Sequence, residues 1–315
     1  MHPLFMLRKT VLLLTTFFYT CLCCHAQDIP VNQLVLPAGK EYKLPFSWAK
    51  SEDSQYSALL IPVRFKGCPR IFYMQFDTGS PYSMLYRNKL QAIGDRYPQT
   101  PRISDTTGKL QQCSIRIGNM PVLVREMVIK QFDSTGINWQ HNAMEIIGTL
   151  GTDLIDNKTV VINYPQKYML ISDPHTQQQA GQTWADLIYE KRKILLPFSV
   201  GGTEKIAFFD TGSSAYGLLT DKATALQLAS PGALPTSRNV SSWGRLLTAT
   251  SFKTTDSITI ADKKLPLGFI TYIEGVSDAQ VSAMKKSGMG GMTGNALFIH
   301  NILVIDTRNK KFCIL

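Results

Sequence analysis

The chain spells Phe-Asp-Thr-Gly-Ser twice, at residues 76–80 and 209–213, and each copy ends an apolar run. Before the first copy Leu59, Ile61, Val63 and Phe65 alternate with other residues, Lys66-Gly67-Cys68-Pro69 turns the chain, and residues 71–76 run almost wholly apolar into Asp77. This pattern reads as a hairpin whose second strand is buried on both faces. Before the second copy Leu196, Phe198 and Val200 alternate, Gly201-Gly202 turns the chain, and residues 206–209 lead into Asp210. A buried carboxylate without a partner costs several kcal/mol, and the only partner offered twice is the other Asp. The duplication therefore restricts the chain to two similar halves that meet at Asp77 and Asp210.

The correspondence extends beyond the pentapeptide. At the offset of 133 residues that sets Asp77 on Asp210, Leu85 falls on Leu218, Lys89 on Lys222, Ala92 on Ala225 and Ile93 on Leu226, with a short helix expected after each copy. A second offset, 143 residues, aligns residues 148–171 with 291–314 and sets Gly148 on Gly291, Gly151 on Gly294, Val161 on Val304 and Ile171 on Ile314. The ten-residue change between offsets reads as an insertion in the second half. Other segments alternate over short lengths, as in Cys113, Ile115, Ile117 and in Leu267, Phe269, Thr271, Ile273, and helical patterns are few. Both halves are expected to be mostly β. The polar, Gln-rich stretch at residues 175–191, ending in a segment read as a short helix, divides a first lobe at 56–174 from a second at 192–315. Residues 27–55 have no counterpart and read as an N-terminal arm with an added strand through residues 34–36.

A length of 315 residues suits two cores, and 44% hydrophobic with 18% charged residues is an ordinary globular composition. Arg8 and Lys9 precede an apolar stretch from Val11 to Cys23, and Cys24-His25-Ala26 puts small residues at the cleavage-determining positions. Residues 1–26 thus read as an export signal, too short to span a bilayer, which needs about 20 apolar residues. The mature protein is expected to be secreted or periplasmic with no stable membrane span; a lipid anchor at Cys21 or Cys24 is the alternative. Removing the signal takes two basic residues and no acid, leaving 31 Lys and Arg against 23 Asp and Glu. The basic residues are scattered, without a basic helix or interleaved aromatics, so nucleic acid is not an expected partner. Cys68, Cys113 and Cys313 remain after cleavage, which permits at most one internal disulfide and leaves all three pairings open.

Two carboxylates within hydrogen-bonding distance share one proton and titrate as a coupled pair. The charged member can take a proton from a water between them while the neutral member donates to a substrate carbonyl. No metal or cofactor is needed. Gly79 and Gly212 allow backbone to approach the carboxylates closely. With these residues the chain resembles the pepsin-type, bilobal aspartic proteases, and its shortness and symmetry are also similar to the retroviral type. The resemblance covers about residues 56–315. It implies two lobes built as double-psi β-barrels around a cleft, with Asp77 and Asp210 catalytic. It further implies that Thr78 and Thr211 bond across the lobe interface and that Ser80 and Ser213 reach the outer carboxylate oxygens. The hydrophobic-hydrophobic-Gly element of that family fits Ile146-Ile147-Gly148 or Thr149-Leu150-Gly151 in the first lobe, and Met292-Thr293-Gly294 in the second.

The expected flap around residues 105–109, with Thr107 and Gly108, lacks the Tyr that pepsin-like enzymes carry there. Gly108 follows its Asp by 31 residues and Gly244 follows its own by 34, so a hairpin at Trp243-Gly244 is read as the equivalent turn and Trp243 as a candidate cover. The run at residues 288–294 lacks the spacing and Lys of a phosphate loop and reads as a flexible turn beside the site. His141, His175 and His300 show no ligand spacing, and no Gly-x-Ser-x-Gly elbow is present. The favoured reading is an exported, monomeric aspartic endopeptidase acting on peptide or protein substrates. A peptide-binding protein of the same fold with little or no turnover is the alternative, for which the missing flap Tyr is the one argument.

Overall fold

The computed structural model describes residues 33–315 except 52–53, 132–133, 141–142, 175–181, 243–244, 276–281, 283–285 and 287. The export signal, Trp243, Gly244, His141 and His175 therefore lie outside the described residues. The hairpin read before each aspartate is present in both halves. Strand Ala58–Phe65 pairs antiparallel with Phe72–Phe76, and Lys193–Val200 pairs likewise with Thr203–Phe209. Phe72, Met74 and Phe76 point to the core and are fully buried, as are Ala207 and Phe209. Burial of such side chains contributes roughly 1.5–3 kcal/mol each.

Beyond each aspartate the chain crosses itself. Strand Ile146–Leu150 runs parallel to Phe72–Phe76 on one side and antiparallel to Met84–Tyr86 on the other. Strand Met289–Thr293 lies in the same way between Thr203–Phe209 and Leu219–Thr220. Each aspartate loop thus joins two strands that flank a third. A Cβ on Gly148 would lie 2.3 Å from the Met84 carbonyl oxygen, and one on Gly291 would lie 2.1 Å from that of Leu219. Only glycine permits these crossings. The run at residues 288–294, expected to be a flexible turn, is therefore mostly strand, and its Gly291 serves close approach.

The crossings also correct the alignment between the halves. Met84 and Leu219 occupy equivalent places, an offset of 135 residues, so the second loop carries two extra residues between Ser213 and Leu219. The expected helices follow as Arg87–Arg96 and Lys222–Leu228, beginning at that same offset. It sets buried Leu90 and Ile93 on buried Ala225 and Leu228, whereas Leu226, which the offset of 133 sets on Ile93, is 51% exposed. The other eight of the ten extra residues have a location too. In the first half Ile103 bridges Leu110 around the turn at residues 104–109. In the second, the corresponding place holds the hairpin of Thr236–Ser242 and Arg245–Lys253, paired at seven positions.

The two halves are joined by a six-stranded sheet, ordered Ala185–Asp186, Lys311–Ile314, Ile302–Asp306, Thr159–Asn163, Tyr168–Ser172, Tyr42–Pro45. Val161 faces Val304 at its centre, the pair that the 143-residue offset makes equivalent, which places a local twofold axis between them. The N-terminal arm supplies the expected strand as Leu34–Val35, and also Tyr42–Pro45 and Ser47–Ala49. The short helix expected before residue 191 is instead the strands Ala185–Asp186 and Ile188–Glu190, and Leu187 between them is buried with exposed neighbours on either side. Cys68, Cys113 and Cys313 are free thiols. No helix among the described residues is long and apolar enough to cross a membrane.

Candidate active site

The two aspartates are delivered by the same local geometry. The Asp77 amide donates to Leu150 O and the Asp210 amide to Thr293 O, both at 2.9 Å. This correspondence selects Thr149-Leu150-Gly151 over Ile146-Ile147-Gly148 as the counterpart of Met292-Thr293-Gly294. Behind it, a Cβ on Gly151 would meet the Ser80 carbonyl oxygen at 2.7 Å, and one on Gly294 the Ser213 carbonyl oxygen at 2.0 Å. Each loop therefore rests on a glycine just past the end of a strand, where no side chain stands at the contact.

Thr78 and Thr211 lock the loops to each other. The Thr78 hydroxyl donates to Phe209 O at 2.7 Å and accepts the Thr211 amide at 2.9 Å. The Thr211 hydroxyl donates to Phe76 O at 2.8 Å and accepts the Thr78 amide at 2.9 Å. Both residues are at most 1% exposed. Four hydrogen bonds related by the local twofold thus cross between the halves where water is excluded.

The carboxylates face one another across this lock. Asp77 Oδ1 accepts the Gly79 amide at 2.8 Å, and Asp210 Oδ1 accepts the Gly212 amide at 2.8 Å. Burial first, then the charge and hydrogen bond of Asp210, push the Asp77 carboxyl up from its ordinary 3.8 to about 7, against the lowering effect of the Gly79 and Ser80 amides. Each glycine lies against the opposite carboxylate: a Cβ on Gly79 would sit 2.6 Å from Asp210 Oδ1, and one on Gly212 would sit 2.6 Å from Asp77 Oδ1. Gly212→Ala is accordingly expected to force the loops apart and destabilise the protein by about 1–3 kcal/mol, read as a lower urea midpoint. An unchanged midpoint would show that the loops separate freely.

The serines break the symmetry. Ser213 Oγ donates to Asp210 Oδ2 at 3.0 Å, as the resemblance implies. Ser80 Oγ instead donates to Tyr82 O at 2.7 Å, and it is the Ser80 amide that reaches Asp77. The expectation for the Ser80 side chain is thus corrected. Pro81 follows Ser80 where Ser214 follows Ser213, and only the second loop closes as a 3-10 turn, at Thr211–Ser213. Thr107 and Gly108 sit on the turn at residues 104–109, where the Thr107 amide donates to Ser104 Oγ and the Gly108 amide to Ser104 O. The other flap candidates, Trp243 and Gly244, lie outside the described residues.

Several supporting residues escaped the reading of the sequence. Ser83 donates through its amide and hydroxyl to buried Asp153, at 2.8 and 2.7 Å, and its Oγ accepts the Gly151 amide at 3.0 Å. Burial pushes the Asp153 carboxyl up, opposed by these Ser83 donors. Thr152 and Asn295, both fully buried, follow Gly151 and Gly294 and bond back to the two loops. The available signal was a polar residue directly after each of these glycines, at the same place in both copies of the closing block.

No family model matches the chain, and no curated protein sequence matches it. Among solved structures the chain is similar to the aspartic proteinase from Irpex lacteus, with a TM-score of 0.51 and 15% identity over 87% of this chain and 97% of that one. At that identity the likeness is one of fold. The chain has the mostly β, bilobal fold of a pepsin-like aspartic proteinase.

Proposed function

We propose that the protein is an exported aspartic endopeptidase that hydrolyses peptide bonds with one water activated between Asp77 and Asp210. The observation that carries this reading is the placing of Asp77 and Asp210 on two matching loops locked by Thr78 and Thr211, each carboxylate set against the glycine of the opposite loop. Burial and the neighbouring Asp210 push the Asp77 carboxyl up, so the reading gives the shared proton to Asp77. In the proposed reaction the Asp210 carboxylate takes a proton from water as the water oxygen bonds to the scissile carbonyl carbon. Asp77 gives its proton to the carbonyl oxygen. The resulting diol collapses as Asp210 passes the proton it took from water to the amide nitrogen, one diol hydroxyl returns its proton to Asp77 and the C–N bond breaks. An extended substrate would lie between the lobes, under cover from the turn at residues 104–109 and the longer second-half hairpin.

The test is digestion of a diverse peptide mixture by residues 27–315 from pH 3 to 8, with and without pepstatin, with cut sites read by mass spectrometry. Internal cuts that pepstatin suppresses are expected. Because the pair works with one proton bound, cleavage should fall as pH rises through about 7, where Asp77 loses that proton. Tight pepstatin binding without any cut would favour the peptide-binding alternative, since an assembled pair holds a transition-state mimic far more tightly than a substrate.

A further inference from the structure

We infer that Tyr164 and Arg192 are positioning residues for the aspartate pair, each supplied by one half of the chain to brace the aspartate loop of the other. The inference rests on the catalytic reading of Asp77 and Asp210. The Thr78–Thr211 lock secures only the inner side of the two loops. Their outer sides continue into Ser80, Pro81 and Ser214, and these are held by different contacts.

In the first half, the Thr152 amide donates to Ser80 O at 2.9 Å, and its hydroxyl, 3.1 Å from the same oxygen, donates to Arg192 O at 2.8 Å. Arg192 belongs to the second half, in the two-residue turn between Ile188–Glu190 and Lys193–Val200, with φ of 59°. Its side chain, 9% exposed, turns back to the first loop: Nη1 donates to Pro81 O at 3.2 Å, and Nε pairs with Asp156 Oδ2 at 3.1 Å. Tyr189 OH donates to the other oxygen of Asp156 at 3.0 Å, which fixes the carboxylate that aims the guanidinium. Arg192 therefore reaches the Asp77 loop from backbone and side chain together.

In the second half the brace is uncharged. Asn295 Nδ2 donates to Thr211 O at 3.1 Å and to Ser214 Oγ at 2.9 Å, while its Oδ1 accepts the Tyr164 hydroxyl at 2.7 Å. Tyr164 comes from the first half, directly after strand Thr159–Asn163. Its ring stacks on Phe298 at 6.5 Å and on Trp48 at 6.3 Å, and Phe298 packs edge-on against Phe209, the neighbour of Asp210. Tyr164 orients Asn295, and Asn295 orients the Asp210 loop. The two braces have unlike chemistry: at the 143-residue offset Tyr164 falls on Thr307, whose hydroxyl donates to Ile155 O at 2.8 Å. A change at either residue should thus disturb one loop and spare the other. Displacement of a catalytic group by about 1 Å can cost a hundredfold in rate.

Tyr164→Phe keeps the ring and its packing and removes only the hydroxyl. It is expected to lower kcat about tenfold with KM within twofold, and to move the carboxyl titration of the pair, followed by NMR of protein labelled at the Asp carboxyl carbon. Arg192→Met is expected to do the same through the Asp77 loop, and Arg192→Lys, which keeps a cation beside Asp156 and a donor in reach of Pro81, to recover most of the loss. Lower urea stability with wild-type kcat and wild-type titration would overturn the assignment for that residue and leave it a merely structural contact. Should Arg192→Met fail to fold, Tyr164→Phe and Arg192→Lys decide. Should the wild-type protein cut no peptide, the proteolytic reading falls by itself, and the titration still tests whether the braces set the geometry of the pair.

Discussion

Asp77→Asn should abolish peptide cleavage, by at least about a thousandfold, and should at the same time make the folded protein more stable at neutral pH. Asn is the same size, can keep its oxygen on the Gly79 amide and can donate to Asp210, so the loops need not move. What it loses is the exchangeable proton. The stability effect follows from linkage. An unfolded Asp releases its proton near 3.9, whereas Asp77 in the folded protein holds its proton to about 7, so the folded state binds the extra proton across that interval. Wild-type stability therefore falls as pH rises from about 4 to about 7, through this group by at most a few kcal/mol, and the deficit is fully present above 7. The Asn variant has no such deficit. Urea melts of the two proteins should agree in the dependence on this group near pH 3.5 and diverge by pH 7.5, with the variant ahead. A variant that cuts peptides at the wild-type rate would remove the shared-water mechanism, and one no more stable at pH 7.5 than at pH 3.5, relative to wild type, would show that Asp77 is not held protonated.

The parts of the fold that were legible in the sequence are those governed by local pattern. Alternation at Leu59, Ile61, Val63 and at Leu196, Phe198, Val200 marks half-buried strands, and the runs into Asp77 and Asp210 mark buried ones, because strand side chains alternate between faces. Gly148, Gly151, Gly291 and Gly294 were legible as equivalents because backbone crossings at those four places exclude any Cβ. The offset of 135 after the aspartate loops was hidden, since at Leu85, Lys89, Ala92 and Ile93 chance likeness at 133 outweighed the true register, which matches burial and not residue type. The linker and N-terminal strands were hidden for another reason: pairings such as Ala185 with Phe312 and Leu44 with Met169 bring together residues more than a hundred positions apart. Tyr164 and Arg192 act through partners 131 and 111 residues away in the chain. The Ser80 side chain was misread because the resemblance supplies a symmetric role, whereas Pro81 makes the first loop unlike the second.

Thr78→Val should be among the most destabilising conservative changes in the chain, at about 2–5 kcal/mol, while Thr78→Ser should cost about 1 kcal/mol or less. Valine matches the shape of threonine but lacks the hydroxyl. Its methyl would face the Thr211 amide and the Phe209 carbonyl, a donor and an acceptor that lose their partners together. Both lie where Thr78 is 1% and Thr211 0% exposed, so water does not replace the lost bonds. Serine keeps both bonds and gives up one methyl group. Urea denaturation of the two variants at pH 5 separates the causes, since a packing effect would make Ser the worse of the two and an orphaned-polar effect makes Val the worse by far. Thr211→Val removes the other two bonds of the lock, leaving the Thr78 amide and Phe76 carbonyl without partners. If the four bonds act as one clamp, the double variant should cost clearly less than the two single costs together, because loops already parted by the first change let water reach the groups stranded by the second. Simple additivity would mean that the two halves of the lock hold independently, and that either one alone keeps Asp77 against Asp210.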